Sequence, residues 1–280
     1  MILELKTRSI DLSEPAVMGI LNVTPDSFSD GGQFCTLSAA LHHVEQMLVE
    51  GARIIDVGGE STRPGAPIVS LEEEMDRVLP AIEAIKQRFD VVVSVDTSQP
   101  EVVRAAIAAG ADLVNDVRAL TREGMEQLVV AHDMPVCLMH MQGQPDTMQV
   151  APGYSCVIEE VEAFLVARAR RLESLGLKPE RILLDPGFGF GKRLEDNLQL
   201  LANLGRVKKL GYPVLVGLSR KSMLGQLTGR TVSERLAASV AAATISVLHG
   251  ASIIRAHDVG ATLDAIKIAN AIVRMEEQNG

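Results

Sequence analysis

Asp96, Asn115 and Asp185 each close a short β-branched run, and together they supply two carboxylates and an amide. This set presents several acceptors and one donor pair, which suits a flat heterocycle with an amino-imino edge such as guanine or pterin. If Asp185 is buried opposite N–H donors, paired hydrogen bonds compensate its charge in place of water. Two acids can also do general acid/base work or hold a metal pair, and sequence does not measure their separation. A second set is basic: Arg220, Lys221, Arg255 and His257 cluster late in the chain, and Arg63 lies on an earlier loop. Guanidinium forks and ammoniums bind anions, and cations beside a helix N-terminus, as Arg220 and Lys221 are placed, oppose the helix dipole unless a counter-anion is near. The chain has 27 basic and 36 acidic residues, net −9, so the cluster implies a locally held anion and not a broad nucleic-acid footprint.

These residues need elements to position them. Eight short apolar runs alternate with helical stretches: Val17 to Asn22, Arg53 to Val57, Val91 to Asp96, Asp112 to Asn115, Pro135 to Met139, Arg181 to Asp185, Val214 to Gly217 and Ser252 to Arg255. They recur about every 34 residues, enough for a strand, a helix and two loops. The runs are continuously apolar, as a parallel sheet covered on both faces requires. Leu71 to Arg88, Val157 to Leu175 and Ser233 to Leu248 carry apolar residues at helical spacing. Eight such units over 280 residues predict a single (β/α)8 TIM barrel spanning 1–280, with residues 1–14 forming a short N-terminal hairpin that covers its bottom. In such barrels chemistry sits at the C-terminal ends of the strands. Here those ends are polar: Asn22, Asp56, Asp96, Asn115, His140, Asp185, Ser219 and Arg255 with His257.

Two long loops, Thr24 to Gly32 and Gly58 to Gly65, are rich in Gly, Pro and small hydroxyls and are expected to act as lids. Gly187 to Lys192 looks like a phosphate loop, but Arg193 follows the lysine where Ser or Thr is required, so it reads as a glycine-rich loop allowing close ligand approach. His140 reads as a hydrogen-bonded rim histidine, and no HExxH motif is present. Cys35, Cys137 and Cys156 are widely spaced and read as unpaired thiols. Met1 to Leu12 has no apolar h-region, and Leu236 to Leu248 is too short to span a bilayer. No membrane association and a cytoplasmic location are therefore expected.

Six segments carry a resemblance: Met18 to Gly32, Ile55 to Gly65, Ser94 to Thr97, Leu184 to Lys192, Gly217 to Ser222 and Ile254 to Val259. In this order they resemble the bacterial dihydropteroate synthase family from about residue 15 to 275. The resemblance implies a pterin-binding barrel that joins 6-hydroxymethyl-7,8-dihydropterin diphosphate to 4-aminobenzoate, releasing diphosphate in folate biosynthesis. By that resemblance Asp96, Asn115 and Asp185 hold the pterin with Lys221, while Met139, Phe190 and Gly217 line its slot. Asn22 matches a Mg²⁺ ligand, and Thr62, Arg63, Arg255, Ala256 and His257 face the diphosphate. Thr62, Arg63, Pro64, Phe28, Ser219 and Lys221 surround 4-aminobenzoate. The resemblance also implies a homodimer, and the small-residue helix Leu236 to Leu248 permits close approach of a second subunit or of the barrel itself.

The expected path is dissociative, with Asp96, Lys221, Arg255, His257 and Arg63 as the residues carrying the chemistry: the slot stabilises a pterin methylene cation and the basic rim receives the diphosphate. Diphosphate is expected to order the two loops before the arylamine docks. One alternative is a corrinoid methyltransferase domain, which would bind methyltetrahydrofolate and hold no diphosphate. Another is a non-catalytic paralogue, against which the intact strand ends speak.

Overall fold

The structure is a computed structural model describing the chain except residues 7, 24–32, 61–68, 144–147, 149–151 and 280; for 33–36, 277 and 279 only the backbone is described. It opens with an antiparallel hairpin, β1 (Ile2–Glu4) and β2 (Ser9–Asp11). Eight parallel strands follow: β3 (Ala16–Asn22), β4 (Ile54–Gly58), β5 (Val92–Asp96), β6 (Leu113–Asp116), β7 (Val136–Met139), β8 (Ile182–Asp185), β9 (Leu215–Val216) and β10 (Ile253–Ala256). They pair in chain order, β10 returns to β3, and a parallel bridge between Leu184 and Val214 closes the ring. Each of the eight sequence runs is one of these strands.

The helices wrap the outside: α1 (Gln33–Val49), α2 (Leu71–Arg88), α3 (Pro100–Ala109), α4 (Met125–Ala131), α5 (Val157–Ser174), α6 (Leu194–Ala202), α7 (Leu204–Lys208), α8 (Ser222–Thr228), α9 (Leu236–Leu248) and α10 (Val259–Asn279). Helix α2 has the expected bounds because its ends are marked in the sequence. Ser70 and Glu73 form a capping box, acids fill the first turn, and Lys86 and Arg88 sit in the last. Helix α9 starts later than its periodicity suggests. Thr231 and Glu234 cap a separate 3₁₀ turn, and Arg235 then breaks the run to donate to the carbonyls of Arg220 (3.0 Å) and Arg230 (3.1 Å).

Side chains alternate across a strand, so each strand feeds two cores. Val17, Ile55, Val93, Val114, Val136, Ile182, Val214 and Ile254 pack outward against the helices. Their neighbours Met18, Ile54, Val92, Leu113, Cys137, Leu183, Leu215 and Ile253 form an inner layer with Leu3, Leu5, Ile10 and Leu12 of the hairpin. The hairpin therefore plugs the bottom of the barrel, as expected. Two residues further along each strand from that apolar layer stand Ile20, Asp56, Ser94, Asn115, Met139, Asp185, Gly217 and Arg255. Another two residues along β3, β5, β9 and β10 reach Asn22, Asp96, Ser219 and His257. A dry floor with a polar layer above it follows from a period of two applied to eight strands.

Because Leu3 is fully buried in that floor, Leu3→Ala should lower the unfolding free energy by about 3 kcal/mol through lost burial and a residual cavity, measured by urea denaturation. Turnover per folded molecule should be unchanged.

Candidate active site at the barrel mouth

Asp56 organises the centre of the mouth. Its carboxylate is fully buried, and one oxygen, Oδ2, accepts from Arg255 Nε at 2.6 Å and from Asn115 Nδ2 at 3.1 Å. Arg255 Nη2 donates to Asp96 Oδ2 at 2.8 Å, so one guanidinium bridges two acids brought from β4 and β5. Burial works against the charge on Arg255, but Asp56 and Asp96 hold its pKa above the ordinary value. Asp96 is pushed up to about 7: burial raises it, Arg255 opposes, and Asp56 adds repulsion. Asp56 Oδ1 and the Ser94 hydroxyl, neighbours in register, have no hydrogen-bond partner among the described groups, so the network's remaining acceptor capacity faces the barrel interior.

Asp185 forms the second part of the site. It is buried, pairs in register with Met139, and accepts from Gly187 N at 2.7 Å. Burial raises its pKa, while Lys221, the Gly187 amide and Lys192 work in the opposite direction. Lys221 is lowered to about 8 by burial, opposed by Asp185. Its ammonium donates to the Phe188 carbonyl and lies 4.4 Å from the centre of the Phe190 ring. Gly187 has φ +69, and a Cβ there would collide with the His140 carbonyl oxygen, so the loop after β8 can lie against the end of β7 only with glycine at this position. Gly217 stands beside the stem of Arg255, 3.8 Å from its Cβ to a side chain added at the glycine.

The rim carries the remaining residues. Ser219 Oγ lies 3.0 Å from His257 Nδ1 and accepts from the His257 amide at 3.2 Å. Asn22 and Asp96 flank Gly58, since a Cβ there would lie 3.8 Å from Asn22 Oδ1 and 3.5 Å from Asp96 Cβ. The Ala256 side chain is buried in the outer core, so this residue can offer a ligand only its main chain. Arg220 departs from the expected anion cluster. With φ +58 it turns its guanidinium onto Asp258, Nε to Oδ2 at 3.0 Å, and its counter-anion is this carboxylate. Phe28, Thr62, Arg63 and Pro64, with both expected lids apart from residues 58–60, lie outside the described residues.

The mouth therefore joins the acidic and basic sets that sequence separated: Arg255 belongs to both. Asp56 was visible as a polar strand end but carried no assigned role. The available signal was an aspartate inside the run Ile-Ile-Asp-Val, which is tolerable in a covered strand only if it is paired. Among the described residues no three His, Cys, Asp or Glu side chains converge as a metal site, and no helix is long and apolar enough to cross a membrane.

Residues 18–257 match the model of a family described as pterin binding enzyme. The chain is 53% identical to the dihydropteroate synthase of Escherichia coli K12 over 269 residues, covering 96% of this chain and 95% of that protein. A crystal structure of the Yersinia pestis dihydropteroate synthase with a sulfonamide drug superimposes with TM-score 0.93 at 50% identity, covering 98% of this chain and all of that one. The Xanthomonas albilineans dihydropteroate synthase in complex with 7,8-dihydropteroate gives TM-score 0.88 at 47% identity, covering 97% and 98% of the two chains.

Asp56→Asn keeps the volume but removes the charge that anchors Arg255 and repels Asp96. The Asp96 carboxyl should then titrate below 7, followed by ¹³C NMR of the ligand-free protein. The unfolding free energy should fall by about 3 kcal/mol, as expected when a buried cation loses one partner.

Proposed function

The chain belongs to the dihydropteroate synthases within the pterin-binding enzyme family, and on that premise we propose how its barrel mouth joins 6-hydroxymethyl-7,8-dihydropterin diphosphate to 4-aminobenzoate. Identity near 50% over almost the whole chain sets aside the corrinoid methyltransferase alternative. The observation that carries the residue assignments is the bridge from Arg255 to Asp56 and Asp96, with Asp185 and Lys221 close enough for each to favour the other's charge.

Asp185 and Asn115 receive the amino-imino edge of the pterin. Asp185 is buried, with one acceptor position used by Gly187, and its remaining lone pairs suit the ring's paired N–H groups. Met139, Gly217 and Phe190 line the faces of the ring, and Lys221 bonds at its edge. Breaking the methylene C–O bond leaves positive charge delocalised into the ring. When ionised, the carboxylates of Asp56, Asp96 and Asp185 lie along the slot and stabilise that cation without reorganising. Arg255 uses Nε and Nη2 on the acids. Its Nη1, with no acceptor among the described residues, His257 beside Ser219, and Arg63 receive the departing diphosphate. Asn22, a hard oxygen donor at the top of β3, would hold a Mg²⁺ ion, which would supply Lewis-acid stabilisation of the leaving group. Thr62, Pro64, Phe28, Ser219 and Lys221 hold the arylamine, which is neutral near pH 7 and attacks without a strong base. Positioning and electrostatics supply the catalysis.

A second copy of the chain packs on α9 and α10. Leu236, Ile245 and Leu248 of α9, and Ile268, Ile272 and Met275 of α10, remain exposed on two helices that pack against each other. The free thiols of Cys137 and Cys156 suit a reducing, cytoplasmic compartment.

The defining experiment is diphosphate release on mixing the protein with both substrates and Mg²⁺. Asp185→Ala should abolish pterin binding by calorimetry while the circular dichroism spectrum stays that of the parent; unaltered affinity removes Asp185 from the slot. Sedimentation equilibrium should return twice the mass of one chain, and Ile268→Asp should halve it.

A further inference from the structure

Lys192 is a buried cation that the reaction scheme does not use. It is 3% exposed, and its ammonium lies among four acceptors that share its three N–H groups: the carbonyls of Gly187 (2.9 Å), Phe190 (3.1 Å) and His140 (3.2 Å), and His140 Nδ1 (2.9 Å). None of these partners is a carboxylate. A cation withdrawn from water onto neutral acceptors costs free energy, so its position must be supported by the surroundings it organises. Burial draws it down to about 7, while Asp185 favours its charge and Lys221 opposes it.

Those surroundings are the walls of the slot. Around Asp185, the His140 amide donates to the Asp185 carbonyl at 3.0 Å, and Gly187 caps the carboxylate. Lys192 ties the two flanks together from behind. The glycine-rich loop divides its carbonyls between two ammoniums, with Gly187 and Phe190 on Lys192 and Phe188 on Lys221. Further bonds secure the same loop: Asn197 Oδ1 accepts from Gly189 N at 2.7 Å, and the Tyr154 hydroxyl donates to the Gly191 carbonyl at 2.7 Å. His140 sits between Lys192 and the rings of Tyr154 and Phe164, the latter edge-on at 5.0 Å.

We infer that Lys192 is a positioning residue for pterin recognition: by linking the carbonyls of His140, Gly187 and Phe190 it fixes the glycine-rich loop against the end of β7, and so holds the Phe190 ring and the Phe188 carbonyl that anchors Lys221 beside Asp185. This role rests on the reading of Asp185 as the pterin anchor. It also fixes the state of His140, which, accepting at Nδ1, carries its proton on Nε2. Burial and the adjacent ammonium push its pKa down to about 3.

Two measurements test the role. In Lys192→Met, checked for native circular dichroism, the KM for pterin diphosphate should rise roughly tenfold, the cost expected for leaving buried carbonyls unpaired, while the KM for 4-aminobenzoate stays constant. An unchanged pterin KM, or an equal rise in both, overturns the inference. Asp185→Ala run alongside separates the claims. If it retains pterin affinity, the slot reading fails; if it loses affinity while Lys192→Met keeps it, only the positioning role fails. The second measurement uses the parent protein and does not depend on a variant folding. ¹⁵N NMR of the histidines should show His140 neutral with its proton on Nε2 from about pH 5 to 8, whereas titration near 6.5 or an Nδ1–H form overturns the role.

Discussion

A guanidinium buried among carboxylates cannot be left half-satisfied, and this constraint on Arg255 shapes the rest of the mouth. Asp56 must be there to accept Nε, Asp96 must lean in to accept Nη2, and Asn115 then takes the remaining approach to the Asp56 oxygen. Four strands are coupled through one cation. Removing Asp56 or Asp96 would leave the guanidinium with one carboxylate in place of two where little water can take over, which destabilises the site. These bonds are already made in the ligand-free chain, as a site that works by preorganised charge requires.

The layer beneath explains how so many charges can stand close together. The inner apolar layer and the hairpin plug exclude water from below, so fields above it are weakly screened. Burial raises the pKa of both Asp96 and Asp185, against the pull of Arg255 on the first and Lys221 on the second. On the proposed reading these shifts suit a site prepared for positive charge: a pterin cation would relieve the repulsion among the three acids. Arg255 moderates that repulsion in the free protein and would stand beside the leaving group, so the proposed slot and rim share one electrostatic network.

The loop after β8 solves a different problem. A slot for a flat ring needs two walls at a fixed separation, and a glycine-rich segment cannot maintain one unaided. Three glycines at positive φ let the backbone lie against β7 and Lys221, and the carbonyls this exposes are collected by Lys192 and Lys221. Flexibility in the sequence thus becomes order through long-range hydrogen bonds.

The sequence by itself determined the eight strands, the bottom hairpin and the placement of Asp96, Asn115 and Asp185 at strand ends, because apolar runs, turn residues and a two-residue side-chain period are local properties of the chain. It also placed Lys221, Ser219 and His257 at the rim. Tertiary structure alone decided which groups meet. Asp56 lies 199 residues from Arg255, Lys192 lies 52 from His140, and Arg220 was withdrawn from the anion cluster by Asp258, 38 residues away. The physical reason is closure. Which side chains face each other across a barrel depends on strand tilt and stagger around the whole ring, and these are set only when the last strand bonds to the first.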